Sequence, residues 1–190
     1  MQVDLTVQHP LNWAQLLNQC PSTSYTSAHL LVEDGEPIST ETWQQWFEQW
    51  LTVLEPDISP IQAYALTLRL TNDAEIRSLN ALYRQQDRPT DVLAFAALEA
   101  PSTPTYSWSA HPVELGDIVI SVDTALRQAQ AGDRSLSQEL AWLASHGLLH
   151  LLGWDHPDPD SLDLMLTQQS QLLVAIGVIS PDSAESLRFC

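Results

Sequence analysis

The chain has 190 residues, 44% of them hydrophobic and 16% charged, a composition that suits one globular domain, 1–190, with a core that needs no staples. Its net charge is −17 at pH 7, it contains no lysine, and its 7 cations are all arginines. That balance disfavours broad non-specific nucleic-acid binding, which needs many phosphate contacts. It leaves room for a local basic patch, because Arg69, Arg77, Arg84, Arg88, Arg127 and Arg134 fall within one stretch and only Arg188 lies outside it. No cationic, apolar leader and no run of about twenty apolar residues is present, so no membrane partner is expected. Cys20 and Cys190 form no CxxC pair, which fits a reducing, cytoplasmic compartment. The alternative is a single end-to-end disulfide.

In chain order, Val3–Val7 alternates and reads as a strand. Trp13–Leu17 reads as one or two helical turns, and Pro21–Ser27 as a loop. Over residues 41–54, Trp43, Trp46, Phe47, Trp50, Leu51 and Leu54 repeat at helical spacing and make one apolar face, capped by Ser39 or Thr40. That face reads as core rather than as a base-stacking platform. Pro56 and Pro60 break the chain before a strand over Tyr64–Leu70. Asn72 and Glu75 look like a capping pair opening a helix through Tyr83. Val92–Leu98 reads as a buried strand, 99–114 as a Pro-rich loop, and Leu115–Ser121 as a further strand, with Asp123 or Thr124 starting a short helix. Ser135 or Ser137 caps a helix to about Leu152 that is apolar nearly all round and therefore central, and Gly153 stops it. A last amphipathic helix follows Pro159, with Leu162, Met165, Leu166, Leu172, Leu173 and Ile176 on one face. Strands and helices alternate unevenly, which predicts an α/β or α+β fold with about four strands.

The stretch His146-Gly147-Leu148-Leu149-His150-Leu151-Leu152-Gly153-Trp154-Asp155-His156 carries the chemistry. His146 and His150, four apart on a helix, project from one face and can share an ion. Gly153 lets the backbone turn, and His156 can return as a third ligand. Three nitrogens plus an open position is the arrangement of a catalytic zinc site, here one zinc per chain. His9, His29 and His111 lie in predicted loops without such a pattern. The spacing equals that of the extended zinc-protease motif, whose general base is a Glu after the first His. Gly147 occupies that position, so proteolysis loses its proton acceptor. Asp155 either orients a ligand histidine or positions water, or it merely caps the turn.

Tyr83–Leu93 joins a helix to a strand through Pro89, with Thr90 and Asp91 offering local hydrogen bonds. Arg84, at the helix end beside the sheet, either binds a phosphate with its donor fork or pairs with Asp87 or the helix C-terminus. The motifs YR-x-x-D-x-PT-D-VL-x-F (Tyr83 to Phe95), LGDIVIS (Leu115 to Ser121) and HG-x-LHL-x-G-x-DH (His146 to His156), in this order, resemble the YbeY family of bacterial and organellar endoribonucleases. The resemblance covers residues 58–178 well and leaves 8–39 as a variable N-terminal segment.

The resemblance implies an α+β fold with a mixed four-stranded sheet packed with helices, the zinc site lying on the central helix and the turn after it. It implies cleavage of single-stranded RNA, processing of small-subunit rRNA ends, and ribosome quality control with the small subunit or its assembly proteins as partners. It makes Arg84 the phosphate-binding or catalytic arginine. Beyond the resemblance, Arg88 is expected as a further substrate contact and Asp155 as an assisting group. The attacking group, hydroxide generated at the metal or the RNA's own 2′-OH, stays open. Ala94 and Ala96 depart from the Ser and Pro common in the family, and Trp154 from its Tyr. Two other readings are a non-catalytic ribosome-assembly factor with a structural zinc, and a metalloprotease.

Overall fold

A computed structural model describes residues 1–9, 38–97 and 111–182. The readings at Trp13–Leu17, Pro21–Ser27, His29, Leu98, the middle of the Pro-rich loop, Arg188 and both cysteines lie outside these residues. Four strands form one sheet in the order β1-β2-β4-β3, from β1 (Gln2–Gln8), β2 (Ala63–Thr71), β3 (Val92–Ala96) and β4 (Val113–Ser121). The first two neighbours pair parallel and β3 runs antiparallel to β4, so the sheet is mixed and the fold is α+β, as expected. The fourth strand starts two residues earlier than the loop reading placed it. Val113 is buried and pairs with Tyr64, which recruits Glu114 into the strand as well.

The described helices are α1 (Thr40–Leu54), α2 (Asp73–Arg84), α3 (Val122–Ala131), α4 (Leu136–Leu151) and α5 (Pro159–Ala175). Ser39 caps α1 and Ser135 caps α4, the latter in a full capping box with Gln138. Asn72 caps α2 through the Glu75 amide, but the Glu75 carboxylate turns to Arg69 and Thr71 instead of completing a box. Ser121 rather than Asp123 or Thr124 caps α3. The strand runs directly into the helix, and the Asp123 carboxylate is taken up by the Asp73 amide at 3.0 Å.

Alternation along β4 divides the packing. Ile118 and Ile120 join the main core with Trp43, Phe47, Trp50 and the α4 leucines, whereas Val119 faces the other way and packs with Ile76 and Leu93. Thus α2 lies on one sheet face and α4 on the other. The aromatic face of α1 is core, with Trp43, Phe47 and Trp50 fully buried, and Trp50 Nε1 donates to the Leu172 carbonyl at 3.0 Å. The α4 helix is buried on nearly every side, which fixes its histidines against the sheet. No helix among the described residues is long and apolar enough to cross a membrane.

Candidate metal centre

The turn after α4 creates the site. Gly153 adopts φ +86°, the left-handed conformation that glycine enters without steric cost. Its N–H donates to the His150 carbonyl at 3.0 Å and that of Trp154 to the Leu149 carbonyl at 3.0 Å, a Schellman closure. The chain therefore reverses, and the His156 amide is held by Asp155 Oδ1 at 2.8 Å. His146, His150 and His156 each turn a ring nitrogen toward a common point, all within 4.8 Å of one another.

Hydrogen bonding then decides which nitrogens face that point. Gln169 Nε2 donates to the Trp142 carbonyl at 2.8 Å, so Gln169 Oε1 is the atom that meets His146 Nδ1 at 3.3 Å. His150 Nδ1 meets the Trp154 carbonyl at 2.9 Å. Both partners are acceptors, so in the neutral rings both protons sit on Nδ1. The two Nε2 lone pairs then confront each other at 3.1 Å with no proton between them. A cation resolves that conflict. Zinc–nitrogen bonds of about 2.0–2.1 Å in a tetrahedron hold the nitrogens about 3.3–3.4 Å apart, close to this separation. The donor set is all imidazole and fits zinc.

Burial, and then the neighbouring charge of His150, lowers the His146 pKa to about 4, and burial also depresses that of His150. Both rings are thus neutral and ready to ligate at neutral pH. The sign for stability follows from the unfolded value near 6.5. Between about 6.5 and 4 the unfolded chain binds more protons, so the metal-free protein loses stability as pH falls through that window, by up to about 3 kcal/mol from His146. Melting curves of chelator-treated protein from neutral to acid pH should show this loss, and His146→Gln should remove part of it. Identical pH slopes for the two proteins would contradict the assignment.

Gly147 has a packing reason. A Cβ there would sit 2.7 Å from Ile118 Cγ2, so α4 packs against β4 closely enough that a side chain at 147 would have to displace Ile118. The glutamate of the protease motif would have to displace Ile118 at this position. Gly147→Ala should lower stability by about 1–3 kcal/mol despite the better helix propensity of alanine, because the core is overpacked. Thermal denaturation checks this, and in the Gly147→Ala/Ile118→Ala double variant, which lacks Cγ2, the loss should be smaller than the sum of the two single-variant losses. An unchanged melting temperature would refute the close packing.

His146 and His150 open into a cleft of about 400 Å³, lined also by Arg84, Asp91, β3 and the Gly153–Asp155 turn. Arg84 is the last residue of α2, and its Nη2 donates to the Ala94 carbonyl at 3.4 Å. The alternative partner, Asp87, binds Arg77 in a two-pronged pair at 2.7 and 2.9 Å. Arg69, Arg127 and Arg134 are likewise paired, with Glu75, Asp73 and Glu139. The run of arginines therefore does not become a basic patch. Arg84 and Arg88 alone among the described arginines have no carboxylate partner. Arg88 holds the Gln86 side chain at 3.1 and 3.0 Å and does not line the cleft. Ala94 and Ala96 do line it, as do Trp154 and Asp155.

Sequence reasoning missed Gln169 and underread Asp91. The Asp91 carboxylate holds Thr90, the Val92 amide and Gln128, pinning the loop that ends at β3. Gln169 is fully buried on α5, a polar residue in the middle of its apolar face. That break in the hydrophobic stripe was the signal available.

A family model described as Endoribonuclease YbeY matches residues 31–177. The chain belongs to the YbeY family. The match starts upstream of the region that its motifs alone carry. Among curated relatives, Endoribonuclease YbeY of Acaryochloris marina is 53% identical over 95% of this chain and 98% of its own length. That of a Cyanothece strain is 59% identical over 76% of this chain and 86% of its own. The solution structure of TM1509 from Thermotoga maritima shares the fold, at 20% identity and a TM-score of 0.50 over 97% of this chain and 95% of that one.

Proposed function

We propose that this YbeY-family chain is a zinc-dependent endoribonuclease that cleaves single-stranded RNA, acting in the cytoplasm on the ends of small-subunit rRNA and in ribosome quality control. One observation carries the catalytic reading. The two opposed Nε2 lone pairs of His146 and His150 lie in the same cleft as Arg84, a cation without a carboxylate partner among the described residues. The relatives are named for ribonuclease activity. His146, His150 and His156 would hold the zinc, which supplies Lewis acidity at the scissile phosphate.

The chain's own groups do the rest. Arg84 is steadied by the Ala94 carbonyl and has further N–H donors to offer to phosphate oxygens. Asp155 spends one oxygen on the His156 amide, which places that ligand, and leaves the other for water or a ribose hydroxyl. Arg88 has weaker support, because its guanidinium is occupied by Gln86. Proteolysis is disfavoured, because the space for a base at Gly147 is taken by Ile118. Incubation with single-stranded RNA, duplex RNA and casein, with and without chelator, tests the class. Chelator-sensitive cleavage of single-stranded RNA alone is expected. Chelator-sensitive casein cleavage with RNA left intact would overturn the proposal.

A further inference from the structure

The strand β3 has two sides, and only one belongs to the metal cleft. Ala94 and Ala96 face that cleft, while Phe95 between them faces the opposite side of the sheet. There a second cavity of about 420 Å³ has an apolar floor of Leu79, Phe95 and Val119 and a polar margin that includes Thr67 and Asp117. Tyr83 also lines it, a residue 60% exposed whose ring meets that of Phe95 edge-on, with centroids 5.0 Å apart at 67°. Phe95 thus steadies the ring while leaving much of it open. Tyr83 and Arg84 are consecutive in the last turn of α2, and they lean on consecutive residues of β3, Phe95 and Ala94. Adjacent positions thus carry an aromatic ring and a guanidinium without a carboxylate partner among the described residues, each opening into a different cavity.

We infer that the cavity behind β3 is a nucleobase subsite, in which Tyr83 stacks a base of the RNA whose neighbouring phosphate rests on Arg84. The inference rests on the ribonuclease reading and adds a binding residue and a structural reason for strand preference. A nucleotide that spans the end of α2 must turn its base away from any complementary strand. A duplex cannot do so without unpairing, so the subsite selects single strands. Stacking reads no particular sequence, because every base offers a π face.

The test measures binding and cleavage separately, on the zinc-loaded protein, with a short 5′-labelled single-stranded RNA. Tyr83 is exposed, so its replacement leaves the fold intact. Tyr83→Leu keeps an apolar side chain without a π face and should weaken RNA binding, read by fluorescence anisotropy, about tenfold or more. Tyr83→Phe should stay within about twofold of wild type. Zinc content should be unchanged in both. An abasic nucleotide scanned along the RNA should cost the wild type a similar loss at one position and cost Tyr83→Leu nothing further there. Equal binding by wild type and Tyr83→Leu, with cleavage intact, would overturn the subsite and leave the ribonuclease reading standing. Tyr83-dependent binding without cleavage would uphold the subsite and overturn that reading. Neither binding nor cleavage by the wild type would overturn both.

Discussion

His150→Ala should strip the protein of most of its zinc. The substitution removes one of three imidazoles and one of the two opposed Nε2 atoms, so the affinity loss should exceed the roughly 10–100-fold that follows from losing a supporting group. Gln169→Ala supplies that smaller comparison. It leaves all three ligands in place but frees His146 Nδ1 from its acceptor, and zinc affinity should fall by about 10–100-fold. Elemental analysis of protein purified without added metal and competition with a chromophoric chelator read both effects. Full zinc content in His150→Ala would mean that the three histidines are not the site.

Arg84→Ala should lower RNA cleavage by about 10² or more while zinc content and melting temperature stay near wild type. That magnitude is typical of deleting one preorganised group that stabilises developing charge. Among the described residues only one long bond, to Ala94, ties the guanidinium to the fold, so its removal costs little stability. Arg84→Lys should recover only part of the rate, because lysine keeps the charge but not the planar fork. Asp87→Ala should leave cleavage untouched, since Asp87 engages Arg77 on the exposed side of α2. Equal cleavage by wild type and a folded Arg84→Ala would remove Arg84 from the catalytic machinery. Cleavage absent from the wild type, with ribosome binding retained, would favour an assembly factor whose zinc is structural.

Much of this site was legible because it is local. His146, His150, Gly153 and His156 lie within one helix and one turn, and periodicity with a left-handed glycine suffices to bring them together. The long apolar helix announced its own central position, and the aromatic stripe of α1 announced core. The fold class needed only the alternation of patterns, but the mixed character of the sheet came from resemblance and its strand order from the structure, since strand neighbours are set by contacts distant in sequence. The same distance hid Gln169, twenty-three residues from the histidine it supports.

Charge was the least legible property. A cluster of arginines in sequence leaves room for a local basic patch, yet ion pairing with Glu75, Asp87, Asp73 and Glu139 consumes four of them. Sequence position cannot show which cations meet carboxylates across elements. In sequence Gly147 reads as a missing base, and its cause, the contact with Ile118 on β4, shows only in the packed structure. Boundary shifts at α3 and β4 have the same origin. Ser121 caps a helix only because a strand delivers it there, and Val113 is a strand residue only because Tyr64 pairs with it.

The most direct measurement is a zinc titration of RNA cleavage. Protein depleted by chelator is returned to single-stranded RNA with increasing zinc, and the rate is followed against bound metal. The rate should start near zero, rise in proportion to zinc bound, and level off at about one equivalent per chain. Undiminished cleavage by the depleted protein, or none at any zinc loading, would contradict a metal-centred ribonuclease site built on His146, His150 and His156.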